Sequence, residues 1–150
     1  MYDFFGRYEN LLDSKGRISL PAPFRRMIEK EIEDEEDKQF VVTKGTDRNI
    51  VVFPVSEWKK MVEKIKTNVP NGKQQRSLLR RIHFHSSIQK LDKQGRINIP
   101  TELIHYAELK KEVVVIGTGN KIEIWNPRNL SENIQEIEPV YLKNSDLLEF

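Results

Sequence analysis

The chain repeats itself, and no other feature of its sequence restricts the fold as much. Leu12-Asp13-Ser14-Lys15-Gly16-Arg17-Ile18-Ser19-Leu20-Pro21 returns 79 residues later as Leu91-Asp92-Lys93-Gln94-Gly95-Arg96-Ile97-Asn98-Ile99-Pro100. In the same register Phe5 falls on Phe84. Further on, residues 41–45 match 113–117 and residues 50–53 match 122–125, at a register of 72. The difference of seven is the length that an acidic stretch before Phe40 adds to the first copy. Matching blocks in the same order imply two copies of one module of roughly fifty residues. The boundaries expected from this are a first module over 7–57, a helical linker over 58–82, a second module over 86–129 and an acidic tail over 130–150.

Each copy reads alike. A short strand (8–12; 87–91) runs into D-x-x-G-R, where Gly16 and Gly95 supply the positive φ of a tight turn. An alternating strand follows (17–20; 96–99), and proline then opens a short helix over 22–32 or 101–107, with Thr101 a cap for the second. Two β-rich runs complete each module, 40–43 with 49–53 and 112–116 with 121–125; the second pair is joined by a turn at Gly117-Thr118-Gly119-Asn120. In the linker, Trp58, Met61, Val62, Ile65 and Val69 have amphipathic helical spacing over 56–69, closed by Pro70-Asn71-Gly72. Leu78, Leu79 and Ile82 mark a second helix over 74–82. These apolar stripes belong to a core. The fold class expected is α+β: a duplicated, intertwined β-barrel with short helices, related by a pseudo-twofold.

Composition excludes several classes. With 150 residues, 37% hydrophobic, the chain can bury one core. It has no cysteine, hence no disulfide or thiolate site, and no apolar run near the roughly 18 residues a membrane span needs. A cytoplasmic location follows as the expectation. The net charge of +2 does not announce an anionic partner; its distribution leaves open either a solvated helix face or a cationic surface for an anionic polymer. Between residues 59 and 81 stand eight basic residues against one acid, Glu63. The acidic run from Glu29 reads as a solvated face, its purpose open.

The two D-x-x-x-R blocks, Asp13 to Arg17 and Asp92 to Arg96, set in LDSKGRISLP and LDKQGRINIP, resemble the MraZ family of bacterial transcriptional regulators. Gly6-Arg7-Tyr8-Glu9, the segment from Pro54 to Trp58, Arg76 to Arg81 and Glu112 to Trp125 add to the resemblance, which spans roughly residues 6 to 130. It implies two AbrB-like swapped-hairpin modules and a ring-shaped homo-oligomer. It also implies binding to tandem direct repeats of promoter DNA upstream of the division and cell-wall gene cluster, with repression the expected sense and a nucleoid association. The chain departs from the family in its long acidic insertion, and in Ile104 and Glu108, where relatives tend to carry arginine and glycine.

For the site, Arg17 and Arg96 are assigned to base or close phosphate contact, because arginine's planar fork reads guanine bidentately. Lys15 and Lys93 are assigned to positioning on phosphates. Asp13 and Asp92 are given the structural role of holding each turn and its arginine, with Gly16 and Gly95. Arg76, Arg80 and Arg81 would widen the DNA footprint, or form the polar side of a linker helix or subunit contact.

No catalytic motif, phosphate-cradling loop or dinucleotide fingerprint occurs, and neither a cofactor nor a small-molecule substrate is expected. Read as alternate residues of a strand, His83 and His85 share a face, but only distant His105 offers a third ligand, so no metal site is assigned. Two other functional classes remain open: an oligomeric scaffold or protein-binding module, and a non-specific nucleoid protein.

Overall fold

The computed structural model describes residues 2–31 and 39–150; the acidic stretch 32–38 and the expected helix end at Ile32 lie outside them. The two halves form β1 (Phe4–Leu11), β2 (Arg17–Ser19), β3 (Gln39–Lys44), β4 (Ile50–Pro54), β5 (Ser87–Lys90), β6 (Arg96–Asn98), β7 (Glu112–Gly119) and β8 (Ile122–Trp125). Between and after them come α1 (Ala22–Glu31), α2 (Val55–Asn68), α3 (Lys73–Phe84), α4 (Thr101–Tyr106) and α5 (Pro127–Lys143), with a final 3-10 turn at Ser145–Leu147.

The fold is α+β. One antiparallel sheet has the order β1-β7-β8-β4-β3-β5, and β2 and β6 form a separate two-stranded ribbon. The strands of the two halves interleave: β1 pairs with β7 of the second copy, and β5 with β3 of the first. β1 and β7 both run longer than their local patterns indicate, because each supplies the other's partners out to Phe4 opposite Gly119. At the sheet centre Val51 faces Glu123, flanked by Ile50–Ile124 and Val52–Ile122. In the ribbon Ile18 faces Ile97. Since Ile50 and Val52 are the repeat equivalents of Ile122 and Ile124, and Ile18 of Ile97, both registers map onto themselves under a half-turn. The sequence repeat is therefore a quasi-twofold axis through these two pairs.

The main core lies between the inner sheet face, the ribbon, α1 and α4. It joins Phe4, Ile18, Phe24, Ile28, Phe40, Ile50, Val52, Ile97, Leu103 and Val115, among others. Phe24 and Ile28 reach it from α1 because residues four apart share a helix face. On the outer sheet face, α2 and α3 cover Val41, Val51 and Phe53 through Trp58 and Ile82, while α5 covers Val114 and Trp125 through Leu130. β4 is consequently buried on both faces, which explains its unbroken apolar run.

Three local expectations change. Thr101 is the first residue of α4 rather than its cap: Pro100 holds the cap position, with no side-chain hydrogen bond, because proline's fixed φ of −57° already suits a helix entrance. His83 and His85 are not strand neighbours. They sit in the last turn and at the end of α3, where His83 Nδ1 meets the Leu79 carbonyl at 2.7 Å and His85 Nδ1 the Glu102 carboxylate at 3.1 Å. The segment read as a tail is helical as far as Lys143: Asn126 Oδ1 accepts from the amides of Arg128 and Asn129, and Pro127 follows it. Glu108, just past α4, has φ +55°, the left-handed position that favours glycine at a helix end, and its carboxylate pairs with Arg48 Nη1 at 3.0 Å.

Gly117 marks a close approach. A Cβ there would lie 2.4 Å from Phe4 C and 2.6 Å from Phe5 N, backbone atoms that no rotamer can move aside. Gly117→Ala is expected to push β1 off β7 and cost about 2–3 kcal/mol. Urea unfolding measures this; an unchanged midpoint would show that β1 yields freely.

Candidate nucleic-acid interface

Both D-x-x-G-R blocks close the same turn. Asp13 Oδ1 accepts from the amides of Lys15 and Arg17, each at 2.9 Å, while Arg17 Nε donates to Asp13 Oδ2 at 2.7 Å. In the second copy Asp92 Oδ1 accepts from Gln94 at 2.8 Å and Arg96 at 2.9 Å, and Arg96 Nε donates to Asp92 Oδ2 at 2.7 Å. Gly16 and Gly95 have φ of +76° and +74° and hydrogen-bond back to the aspartate carbonyls. The turns also lock across the axis, for Leu20 N donates to Gly95 O and Ile99 N to Gly16 O. Each aspartate thus spends both oxygens within its own turn, and the arginine is aimed by the contact.

Strand alternation does the rest. Ile18 and Ile97 point into the core, so Arg17, Ser19, Arg96 and Asn98 share the outward face of the ribbon. Arg17 stands opposite Asn98 and Ser19 opposite Arg96, which sets the two guanidinium groups on a diagonal. The arginine side chains keep 30% and 25% of their surface exposed, so they remain open to a ligand while bound to aspartate through Nε. Lys15 and Lys93 are exposed on the two turns, at opposite ends of the ribbon. They are not equivalent, since Lys15 corresponds to Gln94, and Lys93 to Ser14.

The ends differ further in what covers them. The first helical turn of α1 brings Arg25 over the second turn, with Cδ and Nη1 each 2.5 Å from where a Cβ on Gly95 would stand. The equivalent position in α4 is Ile104, whose Cδ1 lies 3.3 Å from the same point at Gly16. Ser19, Asn98 and Arg25 were absent from the residues singled out by sequence. The first two were implicit in the alternation around Ile18 and Ile97; Arg25 needed the cross-axis contact. Arg76, Arg80 and Arg81 are not gathered with the turns: α3 joins the outer-face cluster through Ile82, across the sheet from the ribbon. Among the described residues no cluster of His, Asp and Glu is arranged to hold a metal ion, and no helix is long and apolar enough to cross a membrane.

The amide of Arg17 holds the Asp13 carboxyl below its ordinary pKa, with help from the Arg17 side chain and the Lys15 amide; Arg96 and Gln94 do the same for Asp92. A depressed carboxylate pKa contributes stability that is present above the unfolded value and lost as pH falls through the folded one. The turns should therefore loosen in acid, below about pH 4. Comparing urea unfolding of the wild type with Asp13→Asn/Asp92→Asn, the stability gap should narrow as pH drops from 7 to 3. Parallel pH profiles would rule out this contribution.

Residues 4–81 and 84–145 match a family model described as "MraZ protein, putative antitoxin-like". A Transcriptional regulator MraZ from Pediococcus pentosaceus is 42% identical over 136 residues, covering 90% of this chain and 89% of that protein. One from Halothermothrix orenii is 39% identical over 138 residues, covering 92% and 91%, and one from Carboxydothermus hydrogenoformans is 40% identical over 123 residues, covering 82% and 80%.

Proposed function

The chain belongs to the MraZ family, and from that premise we propose that it is a sequence-specific DNA-binding transcriptional regulator. The observation that supports this most is the ribbon. The major groove of B-form DNA admits a two-stranded antiparallel β-ribbon, and β2/β6 offers one whose outward face carries two arginines, a serine and an asparagine. Arg17 and Arg96 read base edges or close phosphates. Lys15 and Lys93 hold the flanking phosphates, and Asp13, Asp92, Gly16 and Gly95 set the turns that aim them.

A ribbon three residues long per strand covers only a few base pairs. Within this proposal the protein acts as a ring-shaped homo-oligomer of swapped-hairpin modules on tandem direct repeats in its own promoter, upstream of the division and cell-wall gene cluster. Neighbouring subunits then bind by effective concentration rather than by single-module affinity. This places the working protein in the cytoplasm on the nucleoid.

The test is a titration of the protein into two labelled duplexes, one carrying tandem repeats from upstream of its own gene and one scrambled, at two salt concentrations. Tighter binding to the repeats that persists at higher salt supports the reading. Equal binding that collapses with salt points to a charge-driven nucleoid protein, and no binding to a scaffold. Lys15→Ala should weaken both duplexes alike and lower the slope of log affinity against log salt by about one per contacting copy. An unchanged slope removes Lys15 from the phosphate contacts.

A further inference from the structure

We propose that the two ends of the ribbon are not equivalent toward DNA, and that Arg25 is a further specificity-determining residue acting at the Lys93–Arg96 end alone. This rests on the DNA-binding reading and refines it. Arg25 is half-buried over the second turn: its Nε is sealed from solvent without a partner, its terminal nitrogens are not, and among the described residues no carboxylate pairs with its guanidinium. A half-buried guanidinium whose charge is not neutralised by a carboxylate is left to pair, through its terminal nitrogens, with an anion that meets this surface. Gly95, lacking a side chain, is what lets Arg25 Cδ and Nη1 lie against the turn. The guanidinium therefore rests beside the residue that precedes Arg96.

The quasi-twofold supplies an internal control. At the other end the same position is Ile104, which covers Gly16 with a methyl group and offers no donor. One end of the ribbon thus has Lys93, Arg96 and Arg25, and the other Lys15 and Arg17. The outward pair differs too, with Ser19 beside the first set and Asn98 beside the second. A symmetric ribbon reads a palindromic element and binds it equally in either direction. A ribbon with a third cation at one end reads an element with direction, and copies arranged head to tail then favour repeats in the same orientation. The chemistry satisfied by Arg25 is a phosphate oxygen or guanine edge of the DNA just beyond the reach of Arg96.

The experiment is a competition titration of the full-length protein against its own tandem repeats, with each base pair of the repeat substituted in turn. The wild type should show losses that extend further on one side of the repeat centre than on the other. Arg25→Gln should weaken operator binding by about tenfold per contacting copy and shorten the longer side, while Ile104→Arg should lengthen the shorter one. Thermal melting of both variants checks the fold, and Ile104→Arg keeps the test decisive should Arg25→Gln unfold. A symmetric wild-type profile, or profiles unmoved by either substitution, overturns the inference while leaving specific DNA binding intact. A wild type that treats operator and scrambled duplex alike overturns the DNA reading itself.

Discussion

Replacing both Arg17 and Arg96 with alanine is expected to abolish discrimination between operator and scrambled duplex while the protein stays folded. Each arginine contact contributes about 1–3 kcal/mol, so the pair removes about 2–6 kcal/mol per chain if they act independently. The side chains are partly exposed, and their pairs with Asp13 and Asp92 are surface ion pairs that solvent screens. Stability should therefore fall little. The turns persist because each aspartate still accepts from two backbone amides. The single variant Arg17→Ala should lose about half of the binding effect with the oligomer intact. Equilibrium binding and a urea titration on the same preparation separate the two roles: retained specificity, or loss of the fold, would each remove the arginines from base reading.

The second large effect lies in the core. Phe24→Ala should cost about 3–5 kcal/mol, a large share of a small domain's stability. Phe24 is 1% exposed and its ring meets Phe4 at 5.3 Å and Tyr8 at 5.2 Å, both edge-on. It is also the residue by which α1 is seated against the sheet, and Arg25 follows it directly. Its loss should thus weaken DNA binding even where the protein remains folded, as the helix that carries Arg25 loosens. A urea midpoint shift under about 1 kcal/mol would mean that the neighbouring side chains close the cavity.

Much of this is legible in the sequence. The turns are, because D-x-x-G-R names its own chemistry: a short carboxylate that can reach the amides two and four residues on, and a glycine where φ is positive. The strands are, because alternation around Ile18 and Ile97 and the apolar runs before and after each hairpin admit few other readings. The ends of elements are less so. His83 and His85 alternate on paper as strand residues do, yet the helix of Leu78, Leu79 and Ile82 carries through them, since Ile82 is held by the outer-face cluster. The helical character of 130–143 was obscured by its acidic residues, and is anchored by Leu130 and the Asn126 cap.

What the sequence determined alone is the repeat, read directly from the matching blocks, and the conformation of each D-x-x-G-R turn, which depends on contacts within five residues. What only the tertiary structure decided is how the copies meet. No local preference says that β1 pairs with β7 rather than with its own copy's strands, or that β2 lies against β6; those choices come from burying two apolar faces at once. The axis they create puts Arg17 and Arg96 on one surface, and sets Arg25 of the first copy over Gly95 of the second. Both arrangements bring together residues about 70–80 positions apart in the chain, by packing that no local periodicity encodes.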